Sequence, residues 1–433
     1  MESFLRPLQP RRSLFEALQK GPLRVSIVGS GNWGSVIGKI VASNAARSYI
    51  FHDTVKIWVY EEQCEGMKLT EYINSKHENP KYLPNVRLPE NLVATPDMVA
   101  ACEGSDLLVF VLPHQFLEAA CDALVKANVL PAHARAISLI KGLHIDCGRP
   151  QLFSDVITKK LGISGCAALC GANVAKDVAQ EQFAEATLGF TRGDEDTALI
   201  WQQLFDTPYF KLNVLPDVAG VQVCGAVKNV IAIAAGFCDG LGLGTNTKSA
   251  IIRIGVEEMR QFAGLFFDGV LTETFFDSAG YADVITTIFG GRNARCAAEF
   301  VRAQGKKSWA EIEAELLHGQ KLQGTLTTKE VYDVLASHAV EHLFPLFRVT
   351  YEIAFKQRPP SDVVEVFKST QLRLHRSLKE CTPVVLPPLM ATVKQRIARL
   401  QAIVDHERYR EEERKIAAEF ESRHTQLEGK GML

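Results

Sequence analysis

Lys228-Asn229 interrupts an otherwise apolar run, Val221 to Phe237. An ammonium flanked by Val227, Val230 and Ile231 can snorkel to the surface, pair with a carboxylate, or work as an acid–base group. Burial disfavours the charged form and pulls a lysine pKa toward neutrality, where proton transfer is most effective. Gly290-Gly291-Arg292-Asn293 follows a second apolar run and opens a helical pattern. Its guanidinium suits bidentate contact with a phosphate, helped by helix-start amides, or simply marks a helix start. In Ser138-Leu139-Ile140-Lys141-Gly142 a lysine follows a strand-like run, at the sheet edge where open α/β folds bind ligands. Two lysines and an arginine brought together would suit an anionic, phosphorylated substrate.

Gly29-Ser30-Gly31-Asn32-Trp33-Gly34 matches Gly-x-Gly-x-x-Gly between a β-branched run and a helical pattern. The first glycine of such a loop makes the tight turn, the second admits a pyrophosphate to the backbone, and the third lets helix and strand pack closely. The next strand-like run ends at Tyr60-Glu61-Glu62. A carboxylate there can accept from a free ribose 2′-hydroxyl and would repel a 2′-phosphate, which favours NAD over NADP. A hydrolytic rival comes from His338-Ala339-Val340-Glu341-His342, a His-x-x-Glu-His pattern with both imidazoles one helical turn apart if helical. A third zinc ligand would have to come from a carboxylate such as those at Glu411 to Glu413. A solvated helix face explains the same residues, and no metal is expected.

These groups need a scaffold that brings distant segments to one place. Short apolar runs at Arg24 to Val28, Val55 to Tyr60, Asp106 to Leu112, Ala134 to Ile140 and Ala167 to Cys170 alternate with helical patterns such as Gln115 to Ala127 and Gln151 to Leu161. Near-continuous apolar strands separated by helices predict a parallel sheet covered on both faces, hence a doubly wound, Rossmann-type α/β domain. After Val214 to Asp217 the pattern is helical: Val218 to Phe237, Lys248 to Phe267, Tyr281 to Phe289, Ala294 to Gln304, Trp309 to His318 and Thr328 to Phe344. The expected organisation is an N-terminal arm (1–22), a dinucleotide-binding domain (23–216), an all-helical substrate domain (217–378) and a C-terminal helical extension (379–433). The extension opens on a Pro-rich hinge, Thr382 to Pro388, followed by an apolar stripe of Val393, Ile397, Leu400 and Val404.

Composition narrows the classes. The chain has 433 residues, 47% hydrophobic and 23% charged, with 48 Lys+Arg against 50 Asp+Glu. That balance argues against dedicated nucleic-acid binding. Ten scattered cysteines without a Cys-x-x-Cys pair suit a reducing compartment. The longest apolar stretch, Val218 to Leu243, carries Lys228 and Asp239 and reads as a buried helix, so no membrane span is expected. The arm carries Arg6, Arg11, Arg12 and Lys20 but also Glu2 and Glu16. It reads as a surface segment, with organellar import through it as the variant of a cytoplasmic assignment.

Taken in order, the glycine loop through Ser35, Pro113-His114-Gln115-Phe116, Ser138 to Gly142, Gly171-Ala172-Asn173, Cys224 to Asn229, Phe237 to Leu241, Asn246-Thr247-Lys248, Gly290 to Asn293 and Lys321-Leu322-Gln323-Gly324 resemble the eukaryotic-type NAD-dependent glycerol-3-phosphate dehydrogenases. The resemblance runs from about residue 24 to 375. It implies a 6-phosphogluconate dehydrogenase-like helical C-terminal domain, a homodimer, NAD as cofactor, and reversible hydride transfer between NADH and dihydroxyacetone phosphate. Lys228 would be the general acid–base and Lys141 would bind substrate near the reacting oxygen. Arg292 and Asn293 would hold the phosphate, with Asn229, Asp283 and Thr287 in the surrounding polar network. Gly29, Ser30, Gly31, Asn32, Trp33, Gly34, Tyr60, Phe116, Ala175, Arg292, Lys321 and Gln323 would line the cofactor. Tyr60 departs from the family's common phenylalanine, and both termini lie outside the resemblance. A same-fold dehydrogenase of another hydroxyacid and a non-catalytic NADH sensor are the rivals. Neither gives a reason for both a phosphate clamp and a proton donor.

Overall fold

The computed structural model describes residues 14–18, 21–146, 148–317 and 322–368. The Pro-rich hinge, the stripe at Val393 to Val404 and most of the arm lie outside the described residues. So does Lys321.

Eight strands form one sheet: β1 (Val25–Val28), β2 (Val55–Trp58), β3 (Leu92–Thr95), β4 (Leu107–Phe110), β5 (Arg135–Ser138), β6 (Cys166–Cys170), β7 (Ala184–Gly189) and β8 (Phe210–Leu215), in the order β3-β2-β1-β4-β5-β6-β7-β8. The first six are the doubly wound arrangement expected from the sequence, with parallel register such as Val25↔Leu107 and Ser26↔Lys56. The sheet is not wholly parallel, however. β7 runs antiparallel to β6, pairing Cys170 with Thr187, and β8 is parallel to β7.

Side chains of a strand alternate between faces, and two cores result. Val25, Ile27, Leu107 and Val109 join Ile37, Ile40 and Val41 of α1 (Asn32–Ala45), with Trp201 and Leu204 of α4 (Glu195–Phe205), on one face. Val28, Leu108 and Phe110 join Leu117 and Leu124 of α2 (Leu117–Ala127) and Ile157 of α3 (Phe153–Leu161) on the other. Burial on both faces is why β1 and β4 read as continuous apolar runs. Leu14, expected on a surface arm, is buried in the first of these cores.

A third core surrounds α5 (Val218–Gly240), whose residues from Ala219 to Cys238 are all buried. Asp217 caps its start, accepting from Gly220 N at 2.7 Å. Around it pack α6 (Thr245–Phe266), α7 (Asp283–Gly290), α8 (Arg292–Arg302), α9 (Gln323–Ser337) and α10 (Pro345–Phe355). Gly236 admits α8: a Cβ there would lie 2.4 Å from Ala294 O. Among the described residues α5 alone is long and apolar enough to cross a membrane, and it is enclosed by protein.

The helix expected over Thr328 to Phe344 is instead Gln323–Ser337, after which Ala339 turns to φ 55°. Pro345, which lacks an N–H, then starts α10. His338 and His342 therefore do not share a helix, and the geometry assumed for the zinc rival is not formed.

Candidate active site

The glycine loop joins β1 to α1 at the point where the strand order reverses. Gly29 has φ +121°, and a Cβ on it would lie 2.9 Å from Leu112 N, beyond the end of β4. Gly34 is pressed onto the loop, its would-be Cβ only 2.3 Å from Gly29 O. At Gly31 a Cβ would meet nothing within 4 Å, and no side chain caps the helix start that follows. A closely packed turn, open space over the middle glycine and uncapped first-turn amides are the features a pyrophosphate requires. Asn79, which sequence reasoning missed, braces the loop: its buried amide donates to Ser30 O at 3.0 Å and Ser35 Oγ at 2.9 Å. Asn32 donates to Tyr82 O at 2.7 Å, and Trp33 meets Phe210 edge-on. Tyr60 and Phe116 are exposed. Glu61, read from the sequence as a ribose acceptor, uses both carboxylate oxygens on Thr70, at 3.2 Å to N and 2.6 Å to Oγ1.

The second cluster lies beyond the ends of β5 and β6. Because β1, β4, β5 and β6 are parallel, their carboxyl ends share the edge that carries the glycine loop. Lys141 follows β5, Cys170 ends β6, Lys228 and Asn229 come from α5, and Asp283 starts α7. Asp283 Oδ2 lies 2.5 Å from Lys228 Nζ and 3.3 Å from Lys141 Nζ, and it accepts from the Cys170 thiol at 3.4 Å. Thr287 Oγ1, one turn along α7, lies 3.4 Å from Asp283 Oδ1. Gly225 lets α5 approach this close, since a Cβ there would stand 2.7 Å from Cys170 Sγ. Cys170 was not anticipated.

Lys228 and Asp283 are almost fully buried, while the Lys141 side chain is 36% exposed. Burial pulls Lys228 below the ordinary lysine value; the Asp283 carboxylate opposes this, Lys141 reinforces it, and the net direction is down. Burial pulls hardest on Lys141, but Asp283, Cys170 and hydrogen bonding to Lys228 and Asp283 together outweigh it, and the direction is up. Burial would raise Asp283, yet the two ammonium groups hold it below the usual carboxylate range. The snorkelling alternative for Lys228 is thereby set aside. The site holds one partly exposed lysine whose pKa is raised and one buried lysine whose pKa is lowered, both on the same carboxylate oxygen.

Asn293 Nδ2 donates to Asn229 Oδ1 at 2.9 Å, and Gly324 N donates to Asn293 Oδ1 at 3.0 Å, linking α5, α8 and α9. Arg292, the first residue of α8, is exposed beside this chain of amides. Gln323 opens α9, and its side-chain Nε2 is buried with no hydrogen-bond partner among the described residues. Ala175 opens the short helix Ala175–Ala179 after the Gly171-Ala172-Asn173 loop.

A dinucleotide loop at the switch point of a doubly wound sheet, sharing an edge with a lysine–carboxylate centre on a helical domain, defines a dinucleotide-dependent oxidoreductase. Residues 24–196 match the family described as "NAD-dependent glycerol-3-phosphate dehydrogenase N-terminus" and residues 217–365 the corresponding "C-terminus". The chain is 48% identical over 343 residues to the chloroplastic NAD(+) glycerol-3-phosphate dehydrogenase 1 of Arabidopsis thaliana, covering 79% of this chain and 85% of that one. It is 47% identical over 347 residues to the human cytoplasmic NAD(+) enzyme, covering 80% and 97%. The solved Plasmodium falciparum glycerol-3-phosphate dehydrogenase superposes with a TM-score of 0.79 at 45% identity, covering 83% of this chain and 99% of that one. The chain belongs to the NAD-dependent glycerol-3-phosphate dehydrogenases, and NAD is its cofactor.

Proposed function

We propose that Lys228 is the general acid–base in the reversible interconversion of dihydroxyacetone phosphate and sn-glycerol 3-phosphate. Bound NADH supplies the hydride, and the protein supplies orientation and charge. Negative charge develops on the ketone oxygen during reduction; the Lys228 ammonium stabilises it and then donates the proton. In the oxidative direction neutral Lys228 takes the hydroxyl proton. Lys141, held charged by Asp283, binds the substrate near the same oxygen. Asp283 orients both lysines, with Thr287 and Asn229 completing the polar surround. Arg292 and Asn293 hold the substrate phosphate, whose binding energy fixes the carbonyl remotely. Gly29 to Gly34, Tyr60, Phe116, Ala175, Arg292, Lys321 and Gln323 line the cofactor.

The observation that carries this reading is the buried Lys228–Asp283 pair with Lys141 on the same carboxylate oxygen. We assign the chain to a homodimer in the cytoplasm, in keeping with the family resemblance and with a human relative named as cytoplasmic. We take the boundary between 23–216 and 217–378 at residue 217, in keeping with the change from β8 to α5; the end at residue 378 lies outside the described residues. The test follows NADH oxidation at 340 nm with dihydroxyacetone phosphate, with unphosphorylated dihydroxyacetone, and with NADPH as reductant. Oxidation that needs both NADH and the phosphate supports the reading; equal turnover of the unphosphorylated ketone contradicts the phosphate clamp.

A further inference from the structure

Asp283 does not begin an ordinary helix. The five residues before it, Ser278–Ala282, form a π turn that runs directly into α7. π turns are rare and concentrate at functional sites. This one has polar ties on both sides. Asp277 Oδ1 caps it, accepting from Ser278 N at 2.6 Å, and accepts also from Thr187 Oγ1 at 2.5 Å and Asn213 Nδ2 at 3.1 Å. Thr187 Oγ1 in turn accepts from Ala279 N at 2.8 Å. Ser278 Oγ donates to Glu185 O at 2.8 Å and accepts from Ala172 N at 3.2 Å. Both hydroxyls are buried. Packing around them leaves little room. A Cβ on Gly171 would lie 2.6 Å from Ala186 Cα and 2.7 Å from Ser278 Oγ, and one on Gly280 would lie 2.4 Å from Phe275 O.

The reversed strand β7 is what makes this possible. It sets Thr187 directly opposite Cys170, the residue whose thiol touches Asp283. One pair of facing residues therefore contacts both the carboxylate, through Cys170, and the turn that delivers it, through Thr187. We propose that Thr187 and Ser278 are positioning residues for Asp283. They fix the carboxylate against Lys228 and, through Ala172, tie it to the Gly171–Asn173 loop on the cofactor side. The inference rests on the reading of Lys228 and Asp283 given above.

The test uses the full chain and four variants: Thr187→Val, which removes the hydroxyl at nearly constant shape, Thr187→Ser, which keeps it, Ser278→Ala, and Asp283→Asn. The readouts are kcat, the pH dependence of kcat/KM for ketone reduction, the Kd of NADH and the thermal midpoint. A loosened Asp283 leaves Lys228 with burial and Lys141 alone, so its pKa falls and the alkaline limb moves to lower pH. Thr187→Val and Ser278→Ala should each lower kcat about tenfold, the scale of a sub-ångström misplacement, and move that limb. Thr187→Ser should restore both, and only Ser278→Ala should also weaken NADH. If Thr187→Val does not fold, Ser278→Ala carries the test. An unmoved limb in the folded variants, whether or not kcat falls, would overturn the inference and leave these hydroxyls a purely structural part. Full activity and an unmoved limb in Asp283→Asn would instead overturn the underlying site reading.

Discussion

The two halves of this site are specified in opposite ways. At the cofactor edge the determinants are side chains that are missing, and they sit within six consecutive residues, Gly29 to Gly34. In the proposed catalytic centre the determinants are side chains that are present, and they arrive from Lys141, Cys170, Lys228 and Asp283 on separate elements. The first half is concentrated in one turn, which Asn79 braces and the backbone after β4 packs against. The second exists only when a loop after β5, the end of β6 and two helices converge, so its chemistry depends on the whole fold.

The largest effect that separates the halves is expected at Lys228. Lys228→Met should lower kcat by roughly 10²–10⁴-fold, the usual contribution of a positioned acid–base group, with NADH affinity nearly unchanged in a titration. Loss of NADH binding in a folded Lys228→Met protein would break the division. Arg292→Ala should lower kcat/KM for dihydroxyacetone phosphate by about 10- to 100-fold, the scale of a lost charge-assisted contact. Added guanidinium should restore part of it, and an effect confined to cofactor affinity would remove Arg292 from the phosphate.

The smaller effects sharpen the cofactor half. Gly34→Ala forces a methyl against Gly29 O and should destabilise the protein by about 1–3 kcal/mol as well as weaken NADH. Gly31→Ala meets open space, so its thermal midpoint should stay close to wild type while NADH binding falls. Equal stability losses in the two variants would show that the open space over Gly31 is not reserved for a ligand.

The same contrast explains what could be read without a structure. The buried strands β1, β2, β4, β5 and β6 and the glycine loop announce themselves as apolar runs and a fixed spacing. Leu92–Thr95 and Phe210–Leu215 do not, because they are the two edge strands, where alternation replaces continuous burial; Ala184–Gly189 is mostly buried, but Glu185, Thr187 and Gly189 keep it from reading as an apolar run. The reversal of β7 leaves no mark in a single sequence. Lys228 and Arg292 stood out as charges in or after apolar runs, whereas Asp283 and Thr287 came only through family resemblance. Cys170 and Asn79 were silent, since a cysteine in a strand and an asparagine in a loop have ordinary explanations. The overlong helix to Phe344 ignored Pro345, the one local signal that a new helix begins there. Glu61 shows the converse: its position suited a ribose, but Thr70 had already engaged it.

In the proposed mechanism Lys228 delivers the proton, at a pKa set below the ordinary lysine value by burial and Lys141 against the pull of Asp283. The direct measurement is the pH dependence of kcat/KM for ketone reduction by Lys228→Ala, with and without small primary ammonium ions. The wild-type enzyme should lose activity as pH rises through the lowered lysine pKa. Lys228→Ala should be nearly inactive alone, recover with added ammonium ions, and show an alkaline limb that follows the pKa of whichever amine is supplied. A folded Lys228→Ala enzyme that keeps the wild-type limb, or that remains active with no amine present, would contradict the assignment.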